Sequence, residues 1–217
     1  PMSVQVPNGC VEIIVQNEVE AVEVAKKYLS YCQGPSTEWT APDQRHRRHV
    51  VPENRLEVYD MRDVLYGLAD EGSVLELRSE YASGMFTALI RIEGRPVGVI
   101  GNNPLHLSGA IDSPGSDKAS RFIKLCDAFD IPILTLIDTT GIMVGPEVEP
   151  TALVPQSPRA LLTGANATVP HMSICTPHTE GLGAQALAGG SFRTPSLPAG
   201  WRAADVSRTG AQGSAHA

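Results

Sequence analysis

Cysteine, aromatic side chains, positive charge and long apolar runs are all scarce in this 217-residue sequence. Its 4 cysteines, Cys10, Cys32, Cys126 and Cys175, stand far apart without a C-x-x-C pair, which argues against a zinc ribbon or a disulfide framework. No apolar run approaches the ~20 residues that a membrane-spanning helix needs. A net charge of −7 argues against nucleic acid or an anionic membrane as the principal partner. No basic-then-apolar leader opens the chain, so the cytoplasm is the expected location. Also missing are a G-x-S-x-G elbow and a cluster with metal-ligand spacing. What remains, 42% hydrophobic residues with 5% aromatic, suits an aliphatic α/β interior. The length allows one domain with a proper core, plus a tail.

The chain is organised around residues 95–149. Residues 97–100 are apolar and mostly β-branched, and Gly101-Asn102-Asn103-Pro104 stops them. Ser116 or Asp117 can cap a helix with Ala119, Phe122, Ile123, Cys126 and Phe129 on its apolar face. Pro132 ends that helix, and the continuous apolar run 133–137 predicts a strand covered on both faces. The chain then turns at Asp138 through Gly141 and Gly145. Loops at the carboxyl ends of buried strands are where α/β proteins place their chemistry.

Before this stretch, residues 3–16 read as a weak hairpin or extended arm. Asn17 and Glu20 make a capping box for a helix expected to bury Val19, Val22, Ala25, Leu29 and Cys32, with Gly34-Pro35 as its stop. Residues 35–57, with Arg45-His46-Arg47-Arg48-His49, read as a solvated linker rather than a phosphate patch. Asp60 caps a second helix with Val64, Leu65, Leu68 and Ala69 inward and Gly72 as its stop. Residues 74–77 form a short strand, and residues 85–92 and 95–100 a hairpin around Glu93-Gly94. After it, a helix over 152–166 contains Pro155 and Pro158, so it starts near Ser157 or is disrupted, and residues 168–175 follow as a strand. The expected organisation is an arm, helix and linker over 1–57, an α/β domain over 58–192, and a tail over 193–217. That tail has only Leu197, Trp201 and Val206 as sizeable apolar side chains, which predicts disorder.

Several short motifs, taken together, carry a specific likeness. They are Gly94-Arg95-Pro96-Val97-Gly98, Gly109-Ala110-Ile111-Asp112, Lys118-Ala119-Ser120-Arg121-Phe122 and Cys126-Asp127-Ala128-Phe129. Asp138-Thr139-Thr140-Gly141, Thr163-Gly164-Ala165-Asn166 and Gly181-Leu182-Gly183-Ala184-Gln185-Ala186 continue the series. Over residues 1–192 the chain resembles the carboxyltransferase (beta) subunits of biotin-dependent acyl-CoA carboxylases, and specifically the second of their two crotonase-like halves. The resemblance implies an α/β fold of the crotonase-like ββα superhelix type. It also implies an oxyanion hole for the biotin carbonyl built from the amides of Leu182 and Gly183, in the loop opened by Gly181, with Gln185 shaping the pocket. Gly109, Ala110, Gly141 and Ile142 are expected to line the same cleft. Asp112 and Asp138 are expected to cap or brace the loops, and His106 and His171 to be ordinary rim or interior residues. Read by itself, the 181–186 run is a G-x-G-x-x-A dinucleotide fingerprint, but no buried strand precedes Asp205, the acid at the required spacing. A glycine-rich helix start that merely permits close packing is the plain structural alternative.

The reaction implied is transfer of a carboxyl group from carboxybiotin to an acyl-CoA, run by two oxyanion holes without a side-chain base. The partners implied are a biotin carboxyl carrier protein, an acyl-CoA-binding carboxyltransferase half, and further copies in a homo- or hetero-oligomer. The alternative is a non-catalytic remnant or assembly module with the same fold. Against the family pattern, Thr140 replaces a common proline, and Pro177-His178-Thr179-Glu180 replaces a basic run. The likeness is expected to stop after Phe192. The Arg-, Ala-, Gly- and Ser-rich continuation suggests a shifted reading frame and the loss of the strand that should lie beside residues 168–175.

Overall fold

The computed structural model describes residues 1–43, 45, 50–52, 54, 57–143, 153–180, 184, 187, 197–200 and 205–207. For 153–158, 177–180, 197–198 and 205–207 it describes the backbone alone. The chain opens with a short helix, α1 (Met2–Gln5), where an extended arm was expected. Helix α2 (Glu18–Ser30) is capped by Asn17, whose side chain accepts the Glu20 amide at 2.9 Å. Glu20 in return accepts the Gln16 amide at 2.7 Å, so the capping box closes one residue further out than the usual pattern. The face of α2 that turns inward is not the expected one. Val19, Val22 and Leu29 are exposed, and Ala21, Val24 and Tyr28 lie against the body of the protein. The large ring of Tyr31, 2% exposed just past the helix, sets this rotation: its hydroxyl donates to the Ser73 carbonyl and the Arg91 guanidinium lies 5.3 Å over its face.

Helix α3 (Met61–Leu68) is capped by Asp60 and buries Met61, Val64 and Leu65 as its periodicity requires. Strands β1 (Leu75–Leu77), β2 (Met85–Ile92) and β3 (Arg95–Asn102) are antiparallel neighbours. The β2–β3 turn holds Glu93 at φ 50° and Gly94 at φ 75°, the pair of left-handed residues that a two-residue hairpin needs. Helix α4 (Ser113–Ala128) starts earlier than expected. Asp112, not Ser116 or Asp117, is its cap, accepting the Gly115 amide at 2.8 Å, and Pro114 sits in the first turn, where no amide donor is missed. Strand β4 (Ile133–Thr139) is buried along its whole length. Helix α5 (Leu153–Asn166) begins at Leu153 rather than near Ser157, with Pro155 in its tolerant first turn. Strand β5 (His171–Glu180) begins three residues later than expected and runs on past Cys175.

Two further strands, β6 (Leu197–Gly200) and β7 (Asp205–Ser207), pair in parallel with β5, residues 172–175 against 197–200 and 178–180 against 205–207. They correct the expectation that no strand lies beside β5. The rest of 193–217 lies outside the described residues. The sheet order is β1-β2-β3-β4-β5-β6, antiparallel up to β3 and parallel from there on. Both faces of the sheet are covered. Leu89, Ile100, Ile133 and Ile137 meet Phe122 and Ile123 of α4, and Phe86, Ile90, Val99, Leu134 and Leu136 meet Val64 and Leu65 of α3. The alternation along β4 is the pleat sorting one apolar run onto two cores. Among the described residues no helix is long and apolar enough to cross a membrane.

Candidate functional site

The parallel strands β3 and β4 deliver two loops to the same end of the sheet. At the end of β3, the fully buried Asn102 donates from Nδ2 to the Gly109 carbonyl at 3.1 Å. Its Oδ1 has no partner among the described residues. Beyond it, Leu107, Ser108 and Gly109 all take left-handed backbone angles, at φ 48°, 52° and 76°. Two non-glycine residues so placed carry real conformational strain. The Gly109 amide donates to His106 O at 2.9 Å and the Ala110 amide to Leu107 O at 3.0 Å, so the loop is tightly wound.

At the end of β4 the fully buried Asp138 accepts the Tyr59 hydroxyl at 2.7 Å. Burial, reinforced by the Asp138 charge, pushes the Tyr59 phenol upward and keeps it a donor. Thr139 folds the following turn, its hydroxyl accepting the Gly141 amide at 3.0 Å. The two loops are then stitched together. The Ile111 amide donates to Gly141 O at 2.9 Å and the Met143 amide to Ile111 O at 3.0 Å, forming a parallel bridge between Ile111 and Ile142. Gly109, Ala110, Gly141 and Ile142, expected to share a cleft, are thus brought together. Gly141, buried and at φ 129°, has no heavy atom of the described residues within 4 Å of where a side chain would begin. Asp112 caps α4 and Asp138 braces the β4 loop, as expected of each.

Gly181, Leu182, Gly183 and Gln185 lie outside the described residues. Of that run, Ala184 is described, and so is Leu187 just beyond it; both are helical, and they are 8% and 3% exposed against the α4-side core. His171 sits at the amino end of β5, away from these loops, with Nε2 2.7 Å from the Thr135 hydroxyl. His106 is at the rim, 38% exposed in its side chain.

Sequence reasoning missed three residues here: Asn102, Tyr59 and Lys118. Lys118 is fully buried, and its ammonium donates to the carbonyls of Arg78 (2.7 Å), Tyr81 (2.7 Å) and Met85 (2.8 Å). Burial pushes it down to about 8 from an ordinary 10.5, while the three oxygens give the charge its partners. The signal was a lysine beside Ala119 on the inner side of an amphipathic helix, a position that only a well-partnered charge can hold. No group of three or more His, Cys, Asp or Glu side chains among the described residues could hold a metal ion.

This hairpin, crossover helix, strand, crossover helix architecture, with two loops stitched together at the carboxyl ends of its parallel strands, is that of the crotonase-like α/β proteins. The carboxyl transferase domain family matches residues 2–217, and the chain belongs to it. The biotin-dependent long chain acyl-coenzyme A carboxylase beta4 subunit of Mycobacterium tuberculosis is 33% identical over 223 residues, covering 97% of this chain and 42% of that protein. The solved structure of a single-chain, multi-domain long-chain acyl-CoA carboxylase superposes with a TM-score of 0.93 at 44% identity, over 100% of this chain and 22% of that one. The transcarboxylase 12S hexamer, solved with methylmalonyl-coenzyme A, gives 0.86 at 28% identity over 99% of this chain and 44% of that one. The chain therefore spans less than half the length of these proteins. The family match through residue 217 corrects the expectation that the likeness ends at Phe192.

Proposed function

We propose that the chain supplies the biotin-facing half of a carboxyltransferase, which moves a carboxyl group from carboxybiotin to an acyl-CoA. The observation that carries this reading is the family match over residues 2–217 together with the stitched pair of loops at Gly109-Ala110 and Gly141-Ile142. When bound, carboxybiotin supplies a carboxyl group held on a flat ureido ring. The described part of the cleft suits such a ring. Among the described residues no heavy atom stands within 4 Å of where a Gly141 side chain would begin, Ile142 is half-buried beside it, and the Asp138 carboxylate is turned inward onto Tyr59.

In this reading the backbone amides of Leu182 and Gly183 hold the ureido oxygen and stabilise its developing charge, Gln185 shapes the pocket, and the 109–111 and 139–142 loops set the ring's position. No side chain of this half is asked to move a proton. The acyl-CoA is held by the second crotonase-like half, and a biotinylated carrier protein brings the carboxyl group. Both are partners that the chain needs, and several of its relatives' names and structures support assembly of this kind. The test is reconstitution with an acyl-CoA-binding half and a biotinylated carrier, following labelled carboxyl transfer. Transfer that depends on this chain supports the reading, and a stable complex without transfer would overturn it.

A further inference from the structure

We propose that Ser83, His106 and Asp112 form a nucleophilic triad that hydrolyses activated acyl esters and thioesters, an activity separate from carboxyl transfer. The three residues come from different parts of the chain. Ser83 lies in the turn before β2, His106 in the loop after β3, and Asp112 at the start of α4. The structure brings them together, with His106 between the other two. The Ser83 hydroxyl is 3.3 Å from His106 Nδ1, and His106 Nε2 is 3.9 Å from Asp112 Oδ2. With the ring proton on Nε2, Nδ1 accepts the serine proton, and the nearby carboxylate stabilises the imidazolium that results.

Each member is held in place. Ala82, at φ 50°, makes a sharp left-handed turn immediately before Ser83, and the Met85 amide closes that turn on Ala82 O at 3.0 Å. The Lys118 ammonium clasps carbonyls on both sides of the serine, those of Arg78 and Tyr81 before it and Met85 after it. Gly84 makes room for the imidazole, since a Cβ there would stand 2.7 Å from His106 Cδ2. The His106 loop is tied to the same turn by the Asn103 amide, which donates to Gly84 O at 3.0 Å. Asp112 cannot swing away, because its other oxygen caps α4 on the Gly115 amide at 2.8 Å. Ser83 itself is exposed, so an acyl donor can reach it. Rigid support on this scale is what a positioned nucleophile requires.

The step balances without an outside oxidant or cofactor. The Ser83 oxygen bonds to the acyl carbon while its proton passes to His106 Nδ1. The bond from that carbon to the leaving thiolate or alkoxide breaks, and the leaving group takes the proton. Water then adds to the acyl-serine, gives its proton through His106 back to the serine oxygen, and releases the carboxylic acid.

The experiment is labelling of the intact chain with a fluorophosphonate, mapped by peptide mass spectrometry, beside hydrolysis of p-nitrophenyl acetate and an S-acetyl thioester. Three variants accompany it: Ser83→Ala, His106→Asn and Asp112→Asn. The last keeps a side-chain oxygen to cap α4, so its fold is preserved while the charge is lost. The expected result is stoichiometric labelling at Ser83, absent from Ser83→Ala, with hydrolysis reduced about a hundredfold in each variant. A folded wild-type chain that takes no label at Ser83, or a Ser83→Ala chain that hydrolyses at the wild-type rate, overturns the proposal. Neither outcome touches the carboxyl-transfer reading, whose site does not use Ser83.

Discussion

A side chain at Gly109 would start 2.1 Å from the carbonyl oxygen of Asp138. That single contact sets how closely the β3 loop approaches the β4 loop.

Gly109→Ala is therefore expected to destabilise the protein by roughly 2–5 kcal/mol, from the left-handed backbone and the backbone clash together. Gly72→Ala is the control: Gly72 has φ 72° but nothing among the described residues within 4 Å, so only the smaller conformational cost, about 1 kcal/mol, is expected. Urea unfolding of both variants measures the difference, and equal losses would refute the contact's importance.

Lys118→Met keeps the volume of the side chain but leaves the carbonyls of Arg78, Tyr81 and Met85 without their shared donor. The expected cost is about 3 kcal/mol or more. Hydrogen exchange should show residues 78–85 loosening well before the strands do. A variant as stable as the wild type would contradict the role assigned to the ammonium.

Burial holds His171 below its ordinary 6.5. The unfolded chain therefore takes up the proton first as pH falls. The stability linked to His171 is complete above 6.5 and is lost as pH falls from there through the lower folded value. His171→Gln should flatten this part of the stability curve, as read from urea midpoints between neutral pH and well below 6.5. An unchanged slope would show that His171 does not report the burial seen here.

Cys126 is fully buried, and burial pushes its thiol up to about 12. Its sulfur occupies the space at Gly98, where a Cβ would stand 2.4 Å away. Cys10 is exposed. Titration of the native protein with a disulfide reagent should modify Cys10 quickly and Cys126 only on unfolding. Native reaction of Cys126 at the rate of Cys10 would mean that the α4–β3 contact opens freely.

The elements with strong local signals were legible in the sequence. The 93–94 hairpin turn, the fully buried β4 and the capped α3 lie where periodicity and turn chemistry put them, because there the local and tertiary preferences agree. Helix α2 was found but its inner face was misread, since one distant aromatic, Tyr31, outweighs a stripe of smaller side chains. The start of α4 was misjudged because two pairs of cap-forming residues, Asp112-Ser113 and Ser116-Asp117, flank Pro114-Gly115, and the later pair was chosen. Strands β6 and β7 were missed because they are short and weakly apolar, and their pairing to β5 is decided by the sheet edge rather than by their own residues. Of the candidate site, the family resemblance singled out the 109–110 and 141–142 segments, and the structure joins their loops through the Ile111–Ile142 bridge. The buried brace from Tyr59 to Asp138, 79 positions apart, leaves no mark in local sequence.

The central claim, that this chain is one half of a carboxyltransferase site, is tested most directly by complementation. Carboxyl transfer from a carboxybiotinylated carrier to an acyl-CoA is measured with the chain alone, and again with the part of the M. tuberculosis relative that it does not span. No turnover is expected from the chain alone, and transfer is expected once the second half is added. Turnover by the isolated chain, or none from a complex shown to have formed, would contradict the account.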